Sequence, residues 1–109
     1  MKNILKTIFL DSPGNASNQL YNPYSIALNA ASGILYILDY GNNRIMSYAS
    51  SASNGTLVFG GTGPGITNTQ LYYPVDLQFD AVSNSLIIAN HGAHNKQINN
   101  CRSIRYEWQ

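Results

Sequence analysis

The chain has a single cysteine, Cys101, among its 109 residues. An intrachain disulfide is therefore impossible, and no zinc set of the C-x-x-C kind exists. Charge is also scarce: Asp, Glu, Lys and Arg make up 10% of residues, against roughly 25% in ordinary globular chains. The formal net charge is +1, and cations gather only as Lys2 with Lys6 and Arg102 with Arg105. A phosphate-binding surface needs several converging cations, so a nucleic-acid partner is not expected. No run approaches the ~18 apolar residues that cross a bilayer, so no membrane partner is expected either. The segment Ile4–Leu10 is broken by Lys6 and Thr7 and lacks a small-residue cleavage site, so it reads as a strand rather than a leader. Two glycosylation triplets, Asn15-Ala16-Ser17 and Asn54-Gly55-Thr56, are weak signals in a chain rich in Asn and Ser. The compartment stays open.

Catalytic signatures are missing too. There is no G-x-S-x-G elbow. Gly60–Gly65 lacks the Lys-Ser/Thr pair of a phosphate loop. His91 and His94 have no third strong ligand near them in sequence, and the acids Asp11, Asp39, Asp76, Asp80 and Glu107 show no pairing by spacing. No catalytic residue, metal or cofactor is expected, and the chain is not expected to be an enzyme.

What the chain does contain is a repeat. At an offset of 51 residues, Pro13 and Gly14 match Pro64 and Gly65, and Gln19-Leu20-Tyr21 matches Gln70-Leu71-Tyr72. Pro23/Pro74, Ala30/Ala81, Ser32/Ser83, Leu35/Leu86, Ile37/Ile88 and Gly41/Gly92 continue the register. Ile26/Leu77, Leu28/Phe79 and Asp39/Asn90 are conservative pairs. Setting His94–Asn100 aside as an insertion brings Arg102 onto Arg44, Ile104 onto Met46 and Tyr106 onto Tyr48.

A period of about 50 residues suits propeller blades or helical arrays. Local patterning favours strands. Ser25–Asn29 and Asp76–Asp80 alternate, with Ile26 and Leu28, or Leu77 and Phe79, sharing a face that should be buried. Ile34–Leu38 and Ser85–Ala89 are short apolar runs of strands covered on both faces. Asn29–Gly33 and Asp80–Asn84 have hairpin-loop chemistry. At the next turn, Asp39 should act as turn former and Gly41 should supply a left-handed residue. No apolar set recurs at helical spacing. The expected strands are 3–10, 24–29, 34–39, 44–49, 56–60, 75–80, 85–90 and 102–108.

Three stretches carry a resemblance: Pro23-Tyr-Ser-Ile-Ala-Leu-Asn29, Leu35-Tyr-Ile-Leu-Asp39 and Gly41-Asn-Asn-Arg-Ile45. Together they resemble the NHL repeat of β-propellers, with Ser25 where the family usually has Gly. The second copy departs further, with Asp76 at that Gly position, Asn90 for the Asp and the insertion before Arg102. The resemblance implies an all-β fold of four-stranded antiparallel blades. Residues 1–109 would form one partial propeller: an outer strand 3–10, a first blade 18–60 and a second 69–108. Two blades leave sheet faces without partners, so further blades from a longer chain, or self-association, are expected.

Family likeness implies a non-catalytic protein-binding scaffold. Its alternatives are an RNA-binding or ubiquitin-ligase-associated fragment, and a remnant of a metal-dependent lyase-like propeller. Candidate partner contacts are Tyr21, Tyr24, Tyr72 and Tyr73 before and at the inner strands, with Tyr40 and Arg44 at the following turn. Exposed aromatics suit a protein partner, although for Tyr21 and Tyr72, kept in both copies, packing between blades is the favoured reading.

Overall fold

The computed structural model describes residues 14–63, 65, 70–72, 74–90 and 102–107, with backbone alone at 102–104 and 107. The expected strand 3–10, and Tyr73, His91, His94, Cys101 and Trp108, lie outside the described residues. Seven strands are described: β1 (Pro23–Asn29), β2 (Ile34–Asp39), β3 (Arg44–Tyr48), β4 (Thr56–Gly60), β5 (Pro74–Asp80), β6 (Ser85–Asn90) and β7 (Arg102–Glu107). They form two antiparallel sheets, β1-β2-β3-β4 and β5-β6-β7. Among the described residues there is no α-helix, only a 3-10 turn at Tyr40–Asn42.

The two sheets repeat each other in detail. Ile26 pairs with Ile37 and Leu28 with Leu35; Leu77 pairs with Ile88 and Phe79 with Leu86. Both first strands carry an irregularity at the same place, between Pro23 and Ser25 and between Pro74 and Asp76. Pro has no N–H for the ladder, so a strand start with a bulge accommodates it. The hairpin loops match as well. Asn29 Oδ1 accepts the Ala31 N–H at 3.1 Å, and Asp80 Oδ1 accepts the Val82 N–H at 3.1 Å. Gly33 and Asn84, one repeat apart, both take positive φ, at 79° and 52°. These are two of the few residue types that tolerate that region. Beyond the insertion, Asn90 pairs with Arg102 as Asp39 pairs with Arg44, and Ile88 with Ile104 as Ile37 with Met46.

The sheets meet face to face. The inner face of the first sheet supplies Tyr36, Leu38 and Ile45, and the second supplies Leu71, Leu77, Leu86 and Ile88, all buried. Tyr36 stacks on Phe79 with ring centroids 5.7 Å apart, and Phe59 meets Tyr106 edge-on at 6.0 Å. Strand β1 runs along β5, and there the repeat-related residues Ser25 and Asp76 approach to 3.4 Å through their side-chain oxygens. A smaller core of Leu20, Leu35, Ile37, Met46 and Tyr48 lies on the other face of the first sheet.

One expectation fails. Ile26 and Leu28 were expected to be buried like Leu77 and Phe79, yet they are 42% and 43% exposed, while Leu77 is 3% exposed. The physical reason is position: Leu77 faces the first sheet, whereas Ile26 faces away from the second. The same alternation therefore buries one copy and leaves the other open.

The outer face of the second sheet is polar. Arg105 Nη1 donates to Ser83 Oγ and Ser85 Oγ and lies 3.4 Å from Asp80 Oδ2. The Ser83 hydroxyl, then the Val82 backbone N–H and Arg105, hold the Asp80 carboxyl below its ordinary value.

Two outcomes follow. Leu77→Ala should cost about 2–5 kcal/mol in urea unfolding, whereas Ile26→Ala at the repeat-related site should cost about 1 kcal/mol or less. Because the Asp80 pKa is depressed on folding, its stabilisation is present above the unfolded value and is lost as pH falls below about 4. Asp80→Asn should flatten that acid limb in thermal melts recorded across pH.

Candidate functional site

The end of the first sheet where β1 begins and β2 gives way to β3 is built around one carboxylate. Asp39 closes β2 fully buried, and Arg44 opens β3 with 8% of its surface exposed. Their register places them opposite each other, and Arg44 Nε donates to Asp39 Oδ2 at 2.7 Å. A buried ion pair is tolerable only when the remaining donors and lone pairs are satisfied. Here they largely are. Arg44 Nη1 donates to Asn15 O, and Nη2 donates to Ala16 O and Gln19 O. Asp39 Oδ1 accepts the Tyr21 N–H at 2.7 Å, and Oδ2 also accepts from Asn42 Nδ2 at 2.8 Å. Asn42 Nδ2 reaches Gly14 O as well. The loop 14–21 is thus laced to the β2–β3 turn by one acid, one base and one amide.

Gly41 serves this loop differently from expectation. Its φ is not positive; the left-handed residue of the turn is Asn43, at φ 49°. A Cβ on Gly41 would collide with Tyr21 O, and the Gly41 N–H donates to that oxygen at 2.7 Å. Glycine is needed there for close approach, not for handedness.

The structure places Arg44 largely inside: its guanidinium is bonded to three loop carbonyls and holds the loop. The exposed side chains above it are Tyr21, at 55%, and Tyr24, at 61%. Tyr24 lies against the half-buried Tyr40, ring centroids 5.3 Å apart. Pro23 pairs with Asp39, so the start of β1 and the β2–β3 turn share one end of the sheet. Tyr21, Tyr24 and Tyr40 are brought together there, beside a polar cleft of about 280 Å³ lined by Asn15, Asn42, Asn43, Arg44 and three glycines. Sequence reasoning missed Asn15 and Asn42. The signal for Asn42 was its place between Gly41 and Arg44; nothing local marked Asn15.

The second sheet keeps half of this arrangement. Asn90 Oδ1 accepts the Tyr72 N–H at 2.9 Å, as Asp39 accepts that of Tyr21. Tyr72 is half-buried. That bond fixes the orientation of the Asn90 amide, because the backbone N–H needs an oxygen. Its Nδ2, also buried, has no hydrogen-bond partner among the described residues.

Set beside known proteins, the chain gives no match to a family model, and no curated protein matches it.

The asymmetry is measurable. Asp39→Asn strands a buried Arg44 charge and should destabilise the chain by about 3–5 kcal/mol. Asn90→Ala, which strands no charge but removes the acceptor of the Tyr72 N–H, should cost less, about 1–3 kcal/mol, read as a lower urea midpoint with an unchanged slope.

Proposed function

We propose that the chain is a segment of an NHL-like β-propeller and works as a non-catalytic scaffold that binds a protein through its loop end. Support for blade-like organisation comes from the relation between the sheets. Two sheets with matching strand order and register pack face to face. Their first strands lie side by side, and the equivalent residues Ser25 and Asp76 meet there. Radially arranged blades place their innermost strands in this way.

The observation that carries the binding role is the tyrosine cluster. Tyr21 and Tyr24 are large, exposed and three residues apart, and the loop beside them is fixed by a buried ion pair. A rigid base lowers the ordering cost of association, and Tyr supplies much contact area with few rotatable bonds. Charge near the cluster is neutralised internally, because Arg44 is balanced by Asp39. An anionic ligand has little to gain there, which favours a protein over RNA.

The experiment is affinity capture with the wild-type chain and with Tyr21→Ala/Tyr24→Ala, each checked for unchanged thermal unfolding. A protein held by the wild type should weaken by about 2 kcal/mol for each anchor lost, or roughly 30-fold per tyrosine in Kd. Retention of RNA that falls steeply with salt and ignores the tyrosines would replace this role with nucleic-acid binding.

A further inference from the structure

Asn54-Gly55 is the one Asn-Gly pair in the chain. Asparagine followed by glycine is the dipeptide most open to spontaneous deamidation, because no side chain keeps the glycine nitrogen from the asparagine side-chain carbon. Here packing demands the glycine. Its φ is not positive, and a Cβ on Gly55 would collide with the Tyr48 ring. Tyr48 is fully buried in the smaller core of the first sheet, where close packing leaves the ring little room to yield. A labile pair thus sits just ahead of β4, with Asn54 exposed, where the fold admits no larger residue than glycine. The pair is also held by the loop 14–19, at two points on one residue. The Gly55 N–H donates to Ser17 O at 2.7 Å, and Ser17 Oγ donates to Asn54 Oδ1 at 3.0 Å. The Tyr48 hydroxyl donates to Ser17 O as well, at 3.3 Å. Ser17 is kept in place by its neighbours, since Arg44 takes the carbonyls of Asn15, Ala16 and Gln19.

We propose that Asn54 is a site of spontaneous deamidation that is closed while the loop 14–19 is docked and opens when the loop leaves. In the reaction the Gly55 backbone nitrogen, stripped of its proton, attacks Asn54 Cγ. The N–Cγ bond forms, the Cγ–Nδ2 bond breaks, and the side-chain nitrogen departs as ammonia. Water then opens the cyclic imide at either carbonyl, leaving aspartate or isoaspartate. One water is consumed and one ammonia released, with no oxidant or reductant. Both contacts on Ser17 oppose the first step. The Gly55 nitrogen must give up its bond to Ser17 O before it can lose its proton. The Asn54 amide, pinned by the Ser17 hydroxyl, must swing until Cγ lies on that nitrogen. The hydroxyl has one effect of opposite sign, since it polarises the carbonyl under attack. While the loop is docked that polarisation meets no free nucleophile, so the restraint prevails. Reaction at Asn54 therefore requires a local opening of the loop, whose anchor is the buried Asp39–Arg44 pair. The product carries a negative charge beside β4, a strand with none of its own. Isoaspartate also lengthens the backbone by one methylene, so the Gly55 N–H no longer meets Ser17 O and the loop does not regain its seat. The change is one-way. It rests on neither the propeller reading nor the tyrosine contact surface.

The test is the rate of deamidation at Asn54 in the full chain held folded at neutral pH, followed by peptide mapping in a mass spectrometer and by enzymatic methylation of isoaspartate. The reference is the same chain unfolded in guanidinium chloride. Ser17→Ala removes the hydroxyl bond to Asn54 and leaves the backbone in place. Arg44→Lys keeps a charge for Asp39 but offers a single ammonium where a fork spanned three carbonyls, so it loosens the loop from its far side. Each chain is incubated well below its own melting midpoint, and hydrogen exchange at the β6 amides checks that the sheets stay closed. The folded wild type should react slower than the unfolded chain by roughly tenfold or more. Ser17→Ala should react roughly fivefold faster than the folded wild type. Arg44→Lys should also react faster, with exchange of the Gly55 amide rising in parallel. Equal rates in the folded and unfolded wild type would overturn the proposal. So would a Ser17→Ala rate at or below that of the wild type, which would make the hydroxyl an activator of the site. An Arg44→Lys chain whose Gly55 exchange quickens while Asn54 reacts no faster would overturn it too, because docking of the loop would then not be the gate.

Discussion

A β-sheet has two faces, and each apolar face must be covered. That constraint governs this chain more than any single bond. The second sheet meets it by packing one face on the first and dressing the other with Gln78, Asp80 and Arg105. The first sheet meets it once, through Tyr36, Leu38 and Ile45, and only in part on its other side. Hydrophobic area is worth about 25 cal/mol per Å² when removed from water. The inter-sheet core of one stacked ring pair, one edge-on ring pair and several aliphatic side chains is accordingly the main cohesive element between the repeats.

Within that frame, polar chemistry fixes the loops. The Asp39–Arg44 pair is buried and would be costly alone, but nearly every bond it can make is made, to Tyr21, Asn42 and three carbonyls of the preceding loop. Its counterpart has drifted by one atom type, amide nitrogen for carboxylate oxygen, at Asn90. The backbone bond from Tyr72 survives that change because the remaining oxygen still accepts. The second acceptor position does not: an amide N–H stands there, buried and without a partner among the described residues. One substitution thus separates the part of the motif that positions the loop from the part that locks it.

Much of the fold was legible in the sequence. Repeat spacing and alternation gave the strands from β1 to β7 nearly to the residue, because period-two patterns and Asx-type turns leave local marks. The insertion before Arg102 was readable for the same reason: the pairing of Asn90 with Arg102 restores the pattern of Asp39 with Arg44. Exposure was not legible. Ile26 and Leu77 look alike in sequence, and only the order of the sheets decides which is covered. The site was legible in part. Tyr21, Tyr24 and Tyr40 were identifiable as aromatics near turns, but the burial of Arg44 depends on carbonyls of residues 15, 16 and 19, which no spacing rule connects to it. Gly41 was chosen correctly for importance and wrongly for reason, since close approach by Tyr21 is a tertiary fact.

Among the described residues, the strand order also leaves β4 and β7 on the outward margins of their sheets. Unpaired margins invite strand addition by another molecule unless charge, proline or twist blunts them. Strand β7 carries Arg102, Arg105 and Glu107, whereas β4 reads Thr-Leu-Val-Phe-Gly and carries no charge. Its chief defence is the pair Gly60–Gly61, both at positive φ, which turns the backbone aside where the strand ends. Of the two margins, β4 is the one on which aggregation is least opposed.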